Sequence, residues 1–366
     1  MKEIKNIIRQ FDQTPPEEKL ALATVVRVEG SSYRRMGARM LVSENGNWVG
    51  GISGGCLEGD ALKRSRMAIL KGKASIITYD TTIDDDHQIG VGLGCNGVID
   101  VLFTPVDRSR ADNQIELLKR ITGGPRKISK LLKVIRSENS DLLGELLEFT
   151  GPESLQILRE DGVNIEELDQ VIENLDKSKN IHLSDELSLF VEVLPPAYHL
   201  ILLGHQYDLY PLLRQTIELG WDITVVAPEN KVSPMGGVNL MTPEVFDSLE
   251  FDDYTAVVLM SHSLHTDKEN LRKLSKKKPK YIGMLGPRVR SERIWAELAE
   301  EGDAIPADLM QNIYAPVGLE IGANTPDEIA LSLLAEVKGV FAQKEIGHLR
   351  DKTQPIHERD EPMTFS

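Results

Sequence analysis

An α/β fold in two parts is predicted: a mixed α+β N-terminal domain, then a doubly wound parallel sheet. Three observations predict it. After residue 196 short apolar runs alternate with amphipathic ones, the pattern of parallel strands joined by crossover helices. Before it, short β-rich runs come in hairpin order with helices scattered among them. Pro195-Pro196 separates the two patterns.

The elements follow in order. Ile4, Ile7, Ile8 and Phe11 recur at helical spacing, so residues 1–19 read as an amphipathic helix interrupted by Pro15-Pro16. Leu20–Val28 is apolar and β-branched-rich, and predicts a strand. Ala38–Ser43 and Trp48–Gly51 predict a hairpin, because Glu44-Asn45-Gly46-Asn47 between them tolerates positive φ. Leu57–Leu70 predicts a helix ending at Gly72, and Ala74–Tyr79 and Val98–Thr104 predict further strands. Residues 105–180 carry a weaker pattern, with helices over Gln114–Ile121 and Ile165–Leu175, a strand over Lys130–Ile135 and a break at Gly123-Gly124-Pro125. Leu187–Leu194 predicts the last strand of a first domain spanning 1–195.

In the second domain, 196–346, strands are predicted over Tyr198–Leu203, Trp221–Ala227, Tyr254–Met260 and Tyr281–Leu285. Helices are predicted over Tyr210–Leu219, Lys268–Lys277 and Ser291–Glu300. Thr325-Pro326-Asp327-Glu328 opens a last helix reaching Phe341: Thr325 caps, Pro326 suits the first helical position, and Glu328 completes a capping box. Residues 347–366 are polar and contain proline, and read as a mobile tail or an arm that packs on a partner.

The 366 residues include 57 acidic and 42 basic side chains, a formal charge of −15, and 41% are hydrophobic. The hydrophobic share supports packed cores. The acidity argues against nucleic-acid and anionic-membrane partners, which need clustered positive charge. No apolar run approaches the ~18 residues of a spanning helix. The N-terminus lacks an apolar stretch with a small-residue cleavage site, so a cytoplasmic protein is expected. Two cysteines are too few for a disulfide framework or a four-cysteine zinc site.

The densest anomaly is the run Gly50-Gly51-Ile52-Ser53-Gly54-Gly55-Cys56-Leu57-Glu58-Gly59, half of it glycine. Glycine weakens regular structure, so such a run points to positive φ or close approach of backbone to a ligand. It leads into the N-terminus of the 57–70 helix, where free N–H groups and the dipole favour negative charge, a phosphate or a cysteine thiolate. Gly51, Ser53, Gly54, Gly55, Cys56 and Glu58 are therefore candidate site residues. The alternative is a tight turn with Cys56 as buried filler and Glu58 serving the dipole.

A second glycine-rich run, Gly90–Gly97, holds the other cysteine. It makes Gly92, Gly94, Cys95, Asn96 and Gly97 candidates for the same pocket, with a Cys56–Cys95 disulfide as the alternative. Between the runs, Asp84-Asp85-Asp86-His87 offers either a hard-cation set or a solvated loop. Ser31 and Arg34, in the run after the first strand, add a hydroxyl and a guanidinium suited to phosphate.

In the second domain, Gly204-His205-Gln206-Tyr207 stands where a dinucleotide fingerprint would lie. Gln206 replaces the glycine that lets a pyrophosphate approach, and Ala227 replaces the carboxylate that holds a ribose. NAD(P) is accordingly not the expected cofactor. Ser261–Asp267 with His262 and His265, and Gly286–Arg290 with Arg288, follow later strands, at the edge where open α/β sheets bind ligands. The histidines and Asp267 suit metal coordination or acid–base work.

These motifs together resemble the xanthine dehydrogenase accessory protein family, also called the XdhC/CoxI family. The matching segments are Ala23–Val28 with Gly30-Ser31-Ser32, Gly50–Glu58, Gly92–Gly97 and Phe190–Pro196. In the second half they are Tyr281–Gly286 with Arg288, and Ala315–Ala323 running into Thr325–Glu336. The order holds over residues 15–340. The resemblance implies an accessory domain followed by a Rossmann-like domain. It also implies binding of the molybdenum cofactor and its delivery to a molybdenum hydroxylase such as xanthine dehydrogenase, with a cysteine desulfurase as a further partner. The chain departs from the family at Gln206, Ala227 and Asn96.

The expected protein is thus a cofactor-binding chaperone more than a catalyst, with a homodimer as one assembly. Cys56 would contact the cofactor molybdenum, Glu58 would move protons or hold the pterin, and Gly204, His262 and Arg288 would contribute from the second domain. The alternatives are an NAD(P)-binding oxidoreductase and a ligand-free protein–protein adaptor.

Overall fold

The computed structural model describes residues 1–80, 97–161, 163–353 and 362–364. The chain divides into two compact units. One is Glu3–Pro196 with Lys352–Ser366, the other Met1–Lys2 with Ala197–Asp351.

The first unit contains two five-stranded sheets. One is fully antiparallel and runs Trp48–Gly50, Arg39–Ser43, Leu20–Gly30, Gly97–Val106, Ser75–Asp80. Both faces of it are covered, which explains why Leu20–Val28 reads as continuously apolar. Ala23, Val25, Met40, Val42 and Phe103 meet Leu57, Ala61 and Ala68 at the helix Glu58–Lys71. Leu20, Leu22 and Leu41 meet Ile7 and Phe11 of the helix Lys2–Gln13. A register shift between Val25 and Arg27 bends the long first strand.

The other sheet runs Met363–Thr364, Lys179–His182, Ser188–Leu194, Ser129–Arg136, Leu146–Glu148. Its outer core is closed by the helix Ile165–Glu173, whose Ile165, Leu168 and Ile172 are buried. The two short strands Leu146–Glu148 and Lys179–His182 have no readable alternation, and neither is among the predicted elements. Residues 363–364 of the polar tail pair in parallel with Ile181 and His182.

The two sheets are joined by polar stitches. Arg39 of one pairs with Glu192 of the other, both buried. Lys133 donates to Thr24 Oγ1 at 3.1 Å, and Asn180 donates to the Val26 carbonyl at 3.0 Å. Burial, then the nearby Arg39 charge, lowers the Lys133 ammonium to about 7, against the opposing pull of Glu192.

The second unit is a six-stranded parallel sheet, ordered Asn239–Met241, Asp222–Val226, His199–Leu203, Thr255–Leu259, Tyr281–Met284, Ile313–Tyr314. Helices cover both faces. Leu209–Leu219 and Pro326–Phe341 lie over one apolar cluster, Leu264–Lys277 and Arg288–Glu300 over the other. This is the Rossmann-like arrangement expected. The capping box is present: Thr325 accepts from Glu328 N–H, and the Glu328 side chain accepts from Thr325 N–H at 2.8 Å. The last helix also fixes the 315–324 loop, because buried Glu336 accepts from both Tyr281 Oη at 2.6 Å and Gly318 N at 3.0 Å.

Candidate functional site

The Gly50–Glu58 run is a loop pinned at both ends. Ile52 and Leu57 are buried in the first sheet's core, so the four residues between them arch over it. Inside the arch, Glu58 reaches back. Its carboxylate accepts from Ile52 N–H at 3.2 Å, from Ser53 N–H at 2.9 Å and from the Ser53 hydroxyl. Ser53 Oγ in turn accepts from Gly55 N–H at 3.2 Å and Leu57 N–H at 3.0 Å. Burial works to raise the Glu58 carboxyl, but the hydrogen bonds from Ser53 and Ile52 outweigh it and hold it below the ordinary carboxylate range. Glu58 is thus an ionised clamp that shapes the loop from its own helix.

Gly51 sits against that clamp, where a Cβ would lie 3.2 Å from Glu58 Oε1. Gly55 has φ +116° with no atom within 4 Å of a would-be Cβ, so it serves the backbone angle and leaves the space above it open. Cys56 is half-buried, packs against the first sheet's core, and is a free cysteine among the described residues. The arch leads into the N-terminus of the helix Glu58–Lys71, whose first N–H groups point toward it. Under that helix end, Tyr79 donates to buried Asp60 at 2.9 Å. Burial, then Asp60, pushes the Tyr79 phenol up.

The Ser31–Gly37 loop stands beside this arch. Gly97 at its near end closes on Ser31, whose carbonyl would be 2.3 Å from a Cβ there. At its far end Arg39 donates to the Gly37 carbonyl at 2.7 Å while pairing with Glu192. Ser31 is exposed. Arg34 is held by Glu3 at 2.5 Å, so an anion would compete with that carboxylate. Tyr33, which is not among the predicted site residues, turns its ring toward Gly54, where a Cβ would lie 3.4 Å from Tyr33 Cγ, and is 69% exposed. No sequence pattern announces a contact between residues this far apart. Gly92, Gly94, Cys95 and Asn96, and the run Asp84–His87, lie outside the described residues.

At the carboxyl edge of the parallel sheet His262, Asp267 and Arg288 each have a partner within the second unit. Gly204 is needed against the neighbouring strand, since a Cβ would lie 2.3 Å from the Met260 carbonyl oxygen. His262 adopts φ +60° and donates from Nε2 to Asp208 Oδ2 at 2.7 Å. The following helix begins at Leu264, earlier than the predicted Lys268, because Ser263 caps it by accepting from Thr266 N–H. Asp267 therefore turns inward. It is fully buried, and it accepts from Ser261 Oγ at 2.6 Å and from Arg290 at 2.6 Å. Arg288 is exposed and bonded to Glu292 at 2.8 Å. Among the described residues no three His, Cys, Asp or Glu side chains converge to hold a metal. Among them, too, no helix is long and apolar enough to cross a membrane.

Comparison with known proteins matches this organisation. Residues 16–80 match the model of the XdhC and CoxI family, and residues 200–337 that of the XdhC Rossmann domain. The chain is 28% identical over 332 residues to a protein of Bacillus subtilis (strain 168) whose name is that of a probable xanthine dehydrogenase subunit, covering 88% of this chain and 93% of that one. It is 24% identical over 326 residues to the molybdenum cofactor insertion chaperone PaoD of Escherichia coli (strain K12), covering 88% and 84%. A crystal structure described as a xanthine dehydrogenase from Bacillus halodurans superimposes with a TM-score of 0.72 at 26% identity, over 94% of this chain and 97% of that one. The two family models lie on the two halves of the fold, with the first spanning the Gly50–Glu58 arch: the chain belongs to the XdhC and CoxI family.

Proposed function

We propose that this protein binds the molybdenum cofactor and delivers it to a molybdenum hydroxylase of the xanthine dehydrogenase type, acting as a chaperone rather than a catalyst. The observation that carries the reading is the Glu58-clamped arch, which presents Cys56 on an open glycine backbone at a helix N-terminus. The cofactor is a pterin with a phosphate tail and a dithiolene-bound metal. The helix N-terminus suits the phosphate, open backbone suits the pterin edge, and a thiol suits a soft metal centre. The similarity to PaoD, a molybdenum cofactor insertion chaperone, supports the same reading. In it, Glu58 works by holding the arch, and the second unit does not serve NAD(P), because Gln206 and Ala227 replace the residues a dinucleotide needs. A cysteine desulfurase and a second copy of the chain are further partners of this reading, and the cytoplasm its location.

The test is purification from cells that make the cofactor, with molybdenum and pterin quantified in the protein. Both are expected, and Cys56→Ala is expected to lower them. Absence of both, with normal cofactor synthesis in the same cells, overturns the reading. Glu58→Gln is expected to lower retention with Cys56 intact. The stability difference between wild type and this variant should be full above the ordinary glutamate value of 4.5 and shrink as pH falls through the lower folded value. A difference that persists unchanged into acid would remove the clamp from the account.

A further inference from the structure

We propose that Tyr33 is a stacking platform for the flat heterocycle of the bound cofactor, an inference that rests on the cofactor reading above. A Cβ built on Gly54 would lie 3.4, 3.5 and 3.7 Å from Tyr33 Cγ, Cδ1 and Cδ2. These near-equal distances mean that a ring face, not an edge, is turned toward the glycine. The opposite face is left outward, in keeping with an exposure of 69%. Large exposed aromatics are common singly. This one differs in its placement: its inner face is turned to the arch, and its loop is tied at Gly37 by Arg39 at 2.7 Å.

The arch beneath it is itself fixed by Glu58 and Ser53. An aromatic side chain with only two torsions loses little freedom when a planar ligand settles on it, which is the condition for useful stacking. The platform and the thiol also belong to one arch, because Gly54 and Cys56 are two residues apart, at most about 7 Å of chain. Stacking is tolerant of ring identity and so fits any fused bicyclic heterocycle. The phosphate and metal recognition assigned above then make the ligand a pterin rather than a free purine base.

The test compares wild type with Tyr33→Phe, Tyr33→Trp and Tyr33→Ala, each purified from cofactor-making cells. Molybdenum and pterin content are measured, and each protein is titrated with pterin-6-carboxylate, whose fluorescence reports stacking. Phe and Trp are expected to retain cofactor and bind the probe like wild type. Ala is expected to bind about tenfold more weakly or worse, the usual loss when an aromatic platform is removed, with an unchanged thermal midpoint. Equal retention and equal probe affinity in the Ala variant would overturn the platform and leave the cofactor reading standing. Absence of pterin and molybdenum from the wild type would overturn the reading itself.

Discussion

The two units bury charge in opposite ways. In the first, charged and polar groups lie in the interior and join sheet to sheet: Arg39 to Glu192, Lys133 to Thr24, Asn180 to the Val26 carbonyl. In the second, both faces of the parallel sheet are packed with aliphatic side chains. Its described buried carboxylates are Asp267, with Arg290 at the carboxyl edge, and Glu336, with Tyr281 of the core. The difference bears on function. Arg39 holds the Gly37 carbonyl as well as Glu192, so the pair that joins the two sheets also sets the loop carrying Tyr33 and Arg34. In the second unit the core and the carboxyl edge are separate, and the edge residues neutralise one another.

The largest expected effect breaks the interior pair. Glu192→Gln leaves Arg39, 2% exposed, without its counter-charge, and should destabilise by about 3–5 kcal/mol. Asp267→Asn should cost less, about 1–3 kcal/mol, because Arg290 keeps 18% exposure. Chemical denaturation of both variants checks the order, and equal losses would erase the contrast between the units.

Next in size is Lys133→Met. An unfolded lysine holds its proton up to its ordinary value of 10.5, whereas the folded one loses it at about 7. Between those values the unfolded chain binds more protons, so stability rises with pH. The methionine variant should be more stable by about 4 kcal/mol at neutral pH, an advantage that shrinks towards pH 10. Denaturation curves from pH 6 to 10 that stay parallel for the two proteins would refute a buried, proton-losing lysine.

The smallest effect is expected at His262→Gly. Glycine relieves the left-handed backbone, worth about 1 kcal/mol, but gives up the bond to Asp208, worth a similar amount, so the net change should stay within about 0.5 kcal/mol. A large loss would show that the carboxyl edge, too, is built around interior electrostatics.

Much of the fold is legible because it depends on local repetition. Strand–helix alternation, Gly220 after the helix ending at Leu219, and the Thr325–Glu328 cap each follow from neighbours in the chain. The Leu146–Glu148 and Lys179–His182 strands escape notice because each is too short to show a period, and their partners fix them. At the candidate site, glycine density marks the arch, and the helix that follows it is predicted to within one residue at each end. Asp267 looks like a free loop ligand in sequence, yet is fully buried, because Ser263 starts the helix early and Arg290 offers a counter-charge.

By itself the sequence determined the parallel sheet and the glycine-rich Gly50–Glu58 run with its cysteine, since periodicity and glycine act through bonds and near neighbours. Only the tertiary structure decided what the titratable groups do. Glu58 turns back on its own loop, Tyr33 faces Gly54, Arg39 reaches Glu192, and His262 is taken by Asp208. The reason is physical: a charge or an aromatic face takes its role from whatever lies within a few ångströms, and folding brings those neighbours from distant parts of the chain.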